Sequence, residues 1–527
     1  MSEVRQINTT ADDMFPRDQE IGINEVKHYE TASEDIIPMM QKIAFGVGSL
    51  ANQLFAAALG VFMIVLVMGL GMDPFLVGIL GAAPRVFDAI TDPLMGYISD
   101  NSRTRWGRRR PYIFIGAIIT GVAFMLMWQI YPENGETYNF IYFLLLSLLF
   151  YLGYTIFATP LVALGYEMSP DFHERTRIMA VSQWIGQLAW MIAPWFWVII
   201  YDPTLYDSAA VGSRDLAIWV GLICLAFGII PAIFCKERVL PEQDADKLSF
   251  SALGSLMSNF FKGIWQTFKC FPFVQLCSST FLVFNGFQTV AQFSFFIIVF
   301  YVFNGDQGAS GTWPAWFGTI SALCTCLLVI PAVTQMSQKM GKKNAFIIAT
   351  LISIVGYILR WWAFEQALNE NSHWMMFVSL PFMTFGIGGL FTLMMSMTAD
   401  VCDLDELNTG ERREGVFGAV YWWFVKLGTA IAMLVSGWVL SVIGYGRLEE
   451  IRNSLQQGEA LLNMPEAVEI LNMLRMADIV VPVVTALLAI LVMCKYDFTE
   501  ERAHQVRAEL EKRRGKVKHA DEEGADA

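Results

Sequence analysis

Apolar runs of about 20 residues, the length that crosses a bilayer as a helix, recur twelve times along this chain. They lie at roughly 41–69, 75–98, 111–131, 140–166, 177–201, 215–235, 273–301, 313–335, 344–364, 373–398, 416–445 and 477–496. Lipid offers no hydrogen-bond partner to an open backbone, so runs of this kind pack as helices. A soluble domain is about 45–50% apolar and about 25% charged. This chain is 55% hydrophobic and 16% charged, and its charges gather between the runs. The expected fold is an all-α polytopic membrane protein of twelve transmembrane helices.

Loop charges set the orientation. The loops after runs 2, 4, 8 and 10 hold Arg103, Arg105 and Arg108 to Arg110, then Arg175 and Arg177, then Lys339, Lys342 and Lys343, then Arg412 and Arg413. The loops after runs 3, 7 and 9 hold no Lys or Arg. The even loops and both termini are therefore expected on the cytoplasmic side of a cytoplasmic (inner) membrane. Between runs 6 and 7, a polar stretch, KERVLPEQDADK, leads into the amphipathic FSALGSLMSNFFKGIWQTFK, which reads as an interfacial helix with Lys262 and Lys269 snorkelling. Five segments result: a tail over 1–38, a six-helix half over 39–235, a linker over 236–272, a second half over 273–496 and a tail over 497–527. The loop SDNSRTRWGRRRP after run 2 is echoed by SQKMGKKN after run 8. An echo at the same place in each half indicates parallel repeats.

The formal net charge of −13 comes largely from acidic residues in the two tails, which read as solvated segments rather than as a surface for a basic partner. Nothing points to nucleic acid. The eight cysteines are scattered without a CxxC, which argues against a disulfide framework or zinc site. The polar N-terminus gives no sign of a cleavable signal. No phosphate loop, HExxH or Ser/His/Asp layout is present, so no enzyme, metal centre or cofactor is expected beyond a coupling ion.

Polar residues inside the apolar runs are informative because each is costly there. A charge at mid-bilayer costs roughly 2.5–3.5 kcal/mol on insertion scales. Run 2 nevertheless contains Arg85, Asp88 and Asp92 in RVFDAITDP. Residues four apart project from one helix face, and Arg85, three before Asp88, is placed to pair with it. Two inward-facing acids suit an alkali cation or a proton. Lys426 in run 11 is the only Lys deep within an apolar run. Near the acids it balances their charge, and a bound cation would then compete with it. Amides and hydroxyls elsewhere suggest a polar cavity: Asn52 and Gln53, Thr159, Gln183 and Gln187, and Asn285, Gln288 and Gln292. Amides donate to and accept from sugar hydroxyls, and Trp or Tyr faces cover a sugar's C–H face. Asn and Gln also serve as interhelical ties, Trp128 and Trp422 as packing or interfacial residues, and Lys426 as a plain counter-ion. Arg360 falls near the outer end of run 9, where it is expected to snorkel.

Two stretches carry a resemblance. RVFDAITDPLMGYISDNSRTRWGRRRP and TADVCDLDELNTGERREGVFGAVYWWFVKLGTAI resemble the helix-2 and helix-10/11 motifs of the glycoside–pentoside–hexuronide:cation symporters, the melibiose permease-like group of the major facilitator superfamily. The resemblance implies that Asp88, Asp92 and Thr155 hold the cation, with Thr91 beside them. It gives Arg85 and Lys426 a coupling role through charge pairing. The gate on the cytoplasmic side then contains Asp400 and Asp403, facing Arg412 and Arg413, with Asp100 and Arg109 in the loop after run 2. Thr91 stands where melibiose permease has Asn, which leaves Na⁺ and H⁺ both open. The family's charged sugar contacts fall on Asn52 or Gln53, Ala158 and Gln183, so the sugar does not transfer. The expected function is cation-coupled symport of a glycoside or oligosaccharide by a monomeric unit. The alternatives are an uncoupled facilitator or exporter, or a carrier of a uronate or lipid-like solute.

Overall fold

Each long apolar run satisfies its own backbone as a helix, and these helices are what the structure, a computed structural model, contains. It describes residues 35–510, apart from 103, 170–171, 238–253, 255–257, 259–261, 411–413, 456–458, 499–500, 504 and 507–508. Among the described residues, twelve helices are long and apolar enough to span a membrane: α1 (Met39–Met68), α2 (Pro74–Asp100), α3 (Arg110–Met127), α4 (Glu136–Glu167), α5 (Arg177–Ile200), α6 (Ala209–Phe234), α7 (Phe271–Val302), α8 (Gln307–Met340), α9 (Lys342–Gln366), α10 (Glu370–Thr409), α11 (Val416–Ile443) and α12 (Pro465–Cys494). No strand occurs among the described residues.

α6 and α12 start earlier than hydropathy suggests, with charged residues in the added turns. α12 begins at Pro465, so Arg475 lies inside it, and both Arg475 and Asp478 are buried. Arg475 donates to the Tyr301 hydroxyl and the Trp361 carbonyl, each at 2.8 Å. α6 begins at Ala209, and Arg214 in its second turn donates to the Ile130 carbonyl at 3.0 Å. Arg360 does not snorkel. It is fully buried, and its Nε donates to Asp478 at 2.7 Å.

The two halves are built alike. A Cβ at Gly116 of α3 would collide with the backbone of Phe157 in α4, and a Cβ at Gly356 of α9 with that of Met383 in α10. Likewise Gly48 of α1 lies against Pro231 of α6, as Gly286 of α7 lies against Pro482 of α12. Small residues let membrane helices approach closely enough for dispersion to hold them. Equivalent helices in the two halves therefore use equivalent contacts.

The halves meet along α2–α11 and α5–α8, at the end opposite the termini. Gly437 of α11 sits against the carbonyl of Pro74 in α2. Trp195 Nε1 donates to Thr319 at 3.1 Å, and Gln307 donates to the Met68 carbonyl at 3.1 Å. One apolar core joins the first half to this end of the second, from Phe62 to Phe317 and Leu440. A separate core, including Phe346, Tyr421 and Met493, lies in the second half toward the termini, joined by Ile264 of the linker and Val506 and Leu510 of the tail. There the halves stand apart: Trp422 is 44% exposed, and no atom lies near a Cβ built on Gly418. The cavity thus opens on the side of the termini. Most of the expected linker, including 238–253, lies outside the described residues, as do tail residues 1–34 and 511–527. Residues 262–267 are helical, with Ile264 buried and Lys262, Trp265 and Lys269 exposed.

Candidate functional site

α2 is launched by Asp73, whose side chain accepts from the amides of Phe75 and Leu76 at 2.9 and 3.1 Å. Such a cap is worth about 1 kcal/mol and fixes the helix register. Asp88 and Asp92 then fall one turn apart on the face turned toward α4 and α11. On α4 two threonines with the same spacing face them. Thr155 donates to Asp88 Oδ1 at 2.6 Å, and Thr159 donates to Asp92 Oδ1 at 3.2 Å. Lys426 reaches from the other half to the remaining oxygens: its Nζ donates to Asp88 Oδ2 at 2.6 Å and contacts Asp92 Oδ2 as well. Each carboxylate is thus held by a hydroxyl on one side and the same ammonium on the other. Thr91 lies 3.0 Å from the Thr155 hydroxyl and donates to the Asp88 carbonyl at 3.1 Å.

Exposure falls steeply across this cluster. The side chains of Asp92 and Lys426 are 30% and 27% exposed, whereas that of Asp88 is 4% exposed. Asp92 therefore faces the cavity and Asp88 lies behind it. Burying a charge is costly unless it is paired and hydrogen-bonded. The lysine meets that requirement for both acids at once. The ammonium thus lies across the free oxygens of both acids, with Asp92 the more accessible of the two.

Arg85 does not join this cluster. Among the described residues it has no ion pair; it lines a cleft with Leu59, Met127, Phe143, Tyr151 and Met433, and its Nε has no partner. The reason is geometric: Lys426 already fills the acids' free oxygens, and the arginine side chain runs away from Asp88 along α2, toward Tyr151.

The amides expected around a ligand divide. Gln53 of α1 and Gln183 and Gln187 of α5 belong to one wall of the cavity. There the Gln53 amide is 3.5 Å from Gln183 and accepts from Trp190 Nε1 at 2.7 Å. Asn52 is next to this wall, its carbonyl accepting from Tyr154 at 3.3 Å and its Oδ1 buried without a partner. Gln288 is half-buried on α7. Gln292 lies where the halves close, beside Val67, Gly78 and Met433. Asn285 departs from expectation. It is buried and donates to the Gly428 carbonyl at 3.2 Å, so its amide ties α7 to α11.

Toward the termini the charged loops form a separate network in each half. Arg109 pairs with Asp100 at 2.8 Å and Glu167 at 2.6 Å; Arg108 contacts Glu167, and lies 3.5 Å from Glu237. Asp400 pairs with Lys342 at 2.5 Å. Both networks join the loop after the second helix of a half to the end of its fourth. Asp403 is half-buried near Asp400, whereas Arg412 and Arg413 lie outside the described residues. Glu167 and Glu237 were not singled out from sequence, and Lys342 only as a loop charge that sets orientation. Acids at the ends of runs 4 and 6, opposite a basic loop, were the available signal. The buried Lys42–Glu174 pair, at 2.6 Å between α1 and the start of the fifth helix, was missed for the same reason.

The chain is similar to known proteins along most of its length. A family model described as MFS/sugar transport protein matches residues 44–500. The glucuronide carrier protein homolog of Escherichia coli (strain K12) is 24% identical over 480 residues, covering 90% of this chain and 95% of that protein. Sodium-dependent lysophosphatidylcholine symporter 1 of Mus musculus is 24% identical over 512 residues, covering 92% of this chain and 90% of that protein. Among solved structures, a bacterial homolog of the human lysosomal transporter Spinster, in an inward-facing conformation, matches with a TM-score of 0.59 at 15% identity, over 87% of this chain and 96% of that one. That last likeness is one of fold. Matched across all twelve of its membrane helices, the chain belongs to the MFS/sugar transport protein family.

Proposed function

We propose that this protein is a secondary active carrier that couples a small cation, Na⁺ or H⁺, to symport of a glycoside or oligosaccharide by alternating access. It sits in a cytoplasmic membrane with both termini inside and works as a monomeric unit. One observation carries this reading: a lysine from the second half holds both carboxylates of the first.

The lysine acts as a resident substitute for the carried ion. Facing outward, the acids take the cation, with Thr155, Thr159 and Thr91 supplying hydroxyl oxygens, the hard ligands that Na⁺ or a hydronium-like proton would find there. The amide wall of Gln53, Gln183 and Gln187 takes the sugar, with Asn52 and Gln288 beside it. When the carrier turns inward, Lys426 arrives at the acids and expels the ion into the open cavity. Cation and sugar raise each other's affinity reciprocally, by roughly 1–3 kcal/mol in typical cases. The networks of Asp100 with Arg109 and Asp400 with Lys342 hold each half's inner end together while the cavity is open. Closing the gate requires these pairs to exchange partners, with Asp403, Arg412 and Arg413 as the second half's share.

Uptake into proteoliposomes tests the reading. Asp92→Asn is expected to abolish gradient-driven accumulation under both Na⁺ and H⁺ gradients, while the protein still inserts. Undiminished accumulation by that variant would remove Asp92 from the mechanism.

A further inference from the structure

We infer that the cargo is two-faced: a glycoside whose apolar aglycone, aryl or similar, lies on an aromatic wall of the second half while its sugar is held by the amides of the first. This rests on the carrier reading above and narrows its substrate class.

The wall is built from three helices. Lys426 shows which face of α11 looks at the first half, because it reaches Asp88 and Asp92. One turn toward the termini on that face is Trp422, 44% exposed. Trp438, exposed on α11 beyond, is turned about 120° away and belongs to a different face. Trp422 stacks with Phe391 of α10, ring centroids 6.5 Å apart, and Phe391 meets the ring of Phe284 in α7 at 5.9 Å. Phe391 is 39% exposed, and Met395, one turn along, is 40% exposed. The other sides of α10 are taken: Gly388 lies against Val329 of α8, and α9 packs beside Met383. The open stripe of α10 therefore looks toward the first half.

The first half offers Gln53, Gln183 and Trp190, which meet between α1 and α5, with Gln187 one turn along α5 from Gln183. Closing the cavity on itself would press aromatic faces against amides and bury the donors and acceptors that the Gln53–Gln183 and Trp190–Gln53 contacts leave unused. Each such burial costs about 1–3 kcal/mol by mutational measure. A lone pyranose answers only part of the problem. Its C–H face covers one ring, whereas Phe284, Phe391 and Trp422 form a row that Met395 extends. A ligand with a hydroxylated end and an apolar end satisfies both walls at once.

Binding to the full-length protein in lipid nanodiscs tests this. The probes are methyl and phenyl glycosides of the same sugar (β-glucoside, β-galactoside, β-xyloside and β-glucuronide pairs), with Na⁺ present or at acidic pH. Lysophosphatidylcholine serves as the amphiphile without a sugar. For the sugar that binds, the phenyl member is expected to bind about 10-fold tighter, equivalent to about 1.4 kcal/mol. Trp422→Ala and Phe391→Ala should erase that gain, bringing the phenyl and methyl members of the pair to equal affinity. Met395→Gln, at a position that packs less, should act in the same direction if the aromatic variants do not fold. Gln53→Ala should weaken both members of the pair. Equal affinity of the pair, or a gain that survives these variants, overturns the two-faced cargo and leaves the sugar carrier standing. Failure of every glycoside to bind, with or without binding of lysophosphatidylcholine, overturns both.

Discussion

Asp88 and Asp92 are the same chemical group in two settings, one buried against Thr155 and one facing the cavity beside Thr159. A hydrogen bond to a charged group contributes about 1.5–3 kcal/mol. Thr155→Val is therefore expected to weaken coupling-ion affinity by roughly 10-fold or more, while Thr155→Ser retains it. Titrating the ion against ligand-dependent fluorescence would measure this, and an unchanged affinity in the valine variant would remove Thr155 from the ion's environment. The acids and Lys426 were legible in sequence because any charge within an apolar run stands out. Arg85 was misjudged, since a spacing of three permits pairing with Asp88 but does not reveal that a lysine from 338 residues away has taken the oxygens. Asn285 shows the same limit: whether an amide faces a cavity or a neighbouring helix depends on helix rotation, which spacing alone leaves undetermined.

At the scale of helices, α12 was the element least legible. Its first turns, through Arg475, read as loop, and farther along it Asp478 forms a buried ion pair with Arg360 of α9. The pair is embedded among Ser294, Met383 and the rings of Phe317 and Phe364, so it joins α7, α9, α10 and α12. Breaking a buried pair by removing one partner typically costs about 3–5 kcal/mol, whereas replacing both with apolar residues is often near neutral. Asp478→Ala should accordingly lower the thermal midpoint sharply, and Arg360→Met with Asp478→Leu should recover most of it. A double variant no more stable than the single one would mean that the pair adds more than mutual neutralisation. Glycines mark the helix contacts in both halves, but their role became readable only when Gly116 and Gly356 were seen at equivalent crossings.

Across the whole molecule, the twelve-helix layout was legible because lipid forces length and polarity to follow the bilayer. Which end of the cavity is closed was not, since both ends use similar residues and differ only in how the halves are tilted. The closed end rests on Gly437 against Pro74 and Trp195 against Thr319; at the open end the ion pairs of Arg109 with Asp100 and of Lys342 with Asp400 each lie within one half. Lys426 sits between these ends and links the tilt of the halves to the charge of α2. That link is the centre of the proposed transport cycle, and Lys426→Gln addresses it most directly. With the competing ammonium gone, equilibrium affinity for Na⁺ or H⁺, measured on the purified protein, is expected to rise by about 10-fold or more, the scale of about 1.4 kcal/mol, while accumulation of cargo fails. An affinity that stays the same or falls would show that the lysine and the carried ion do not compete for these two acids.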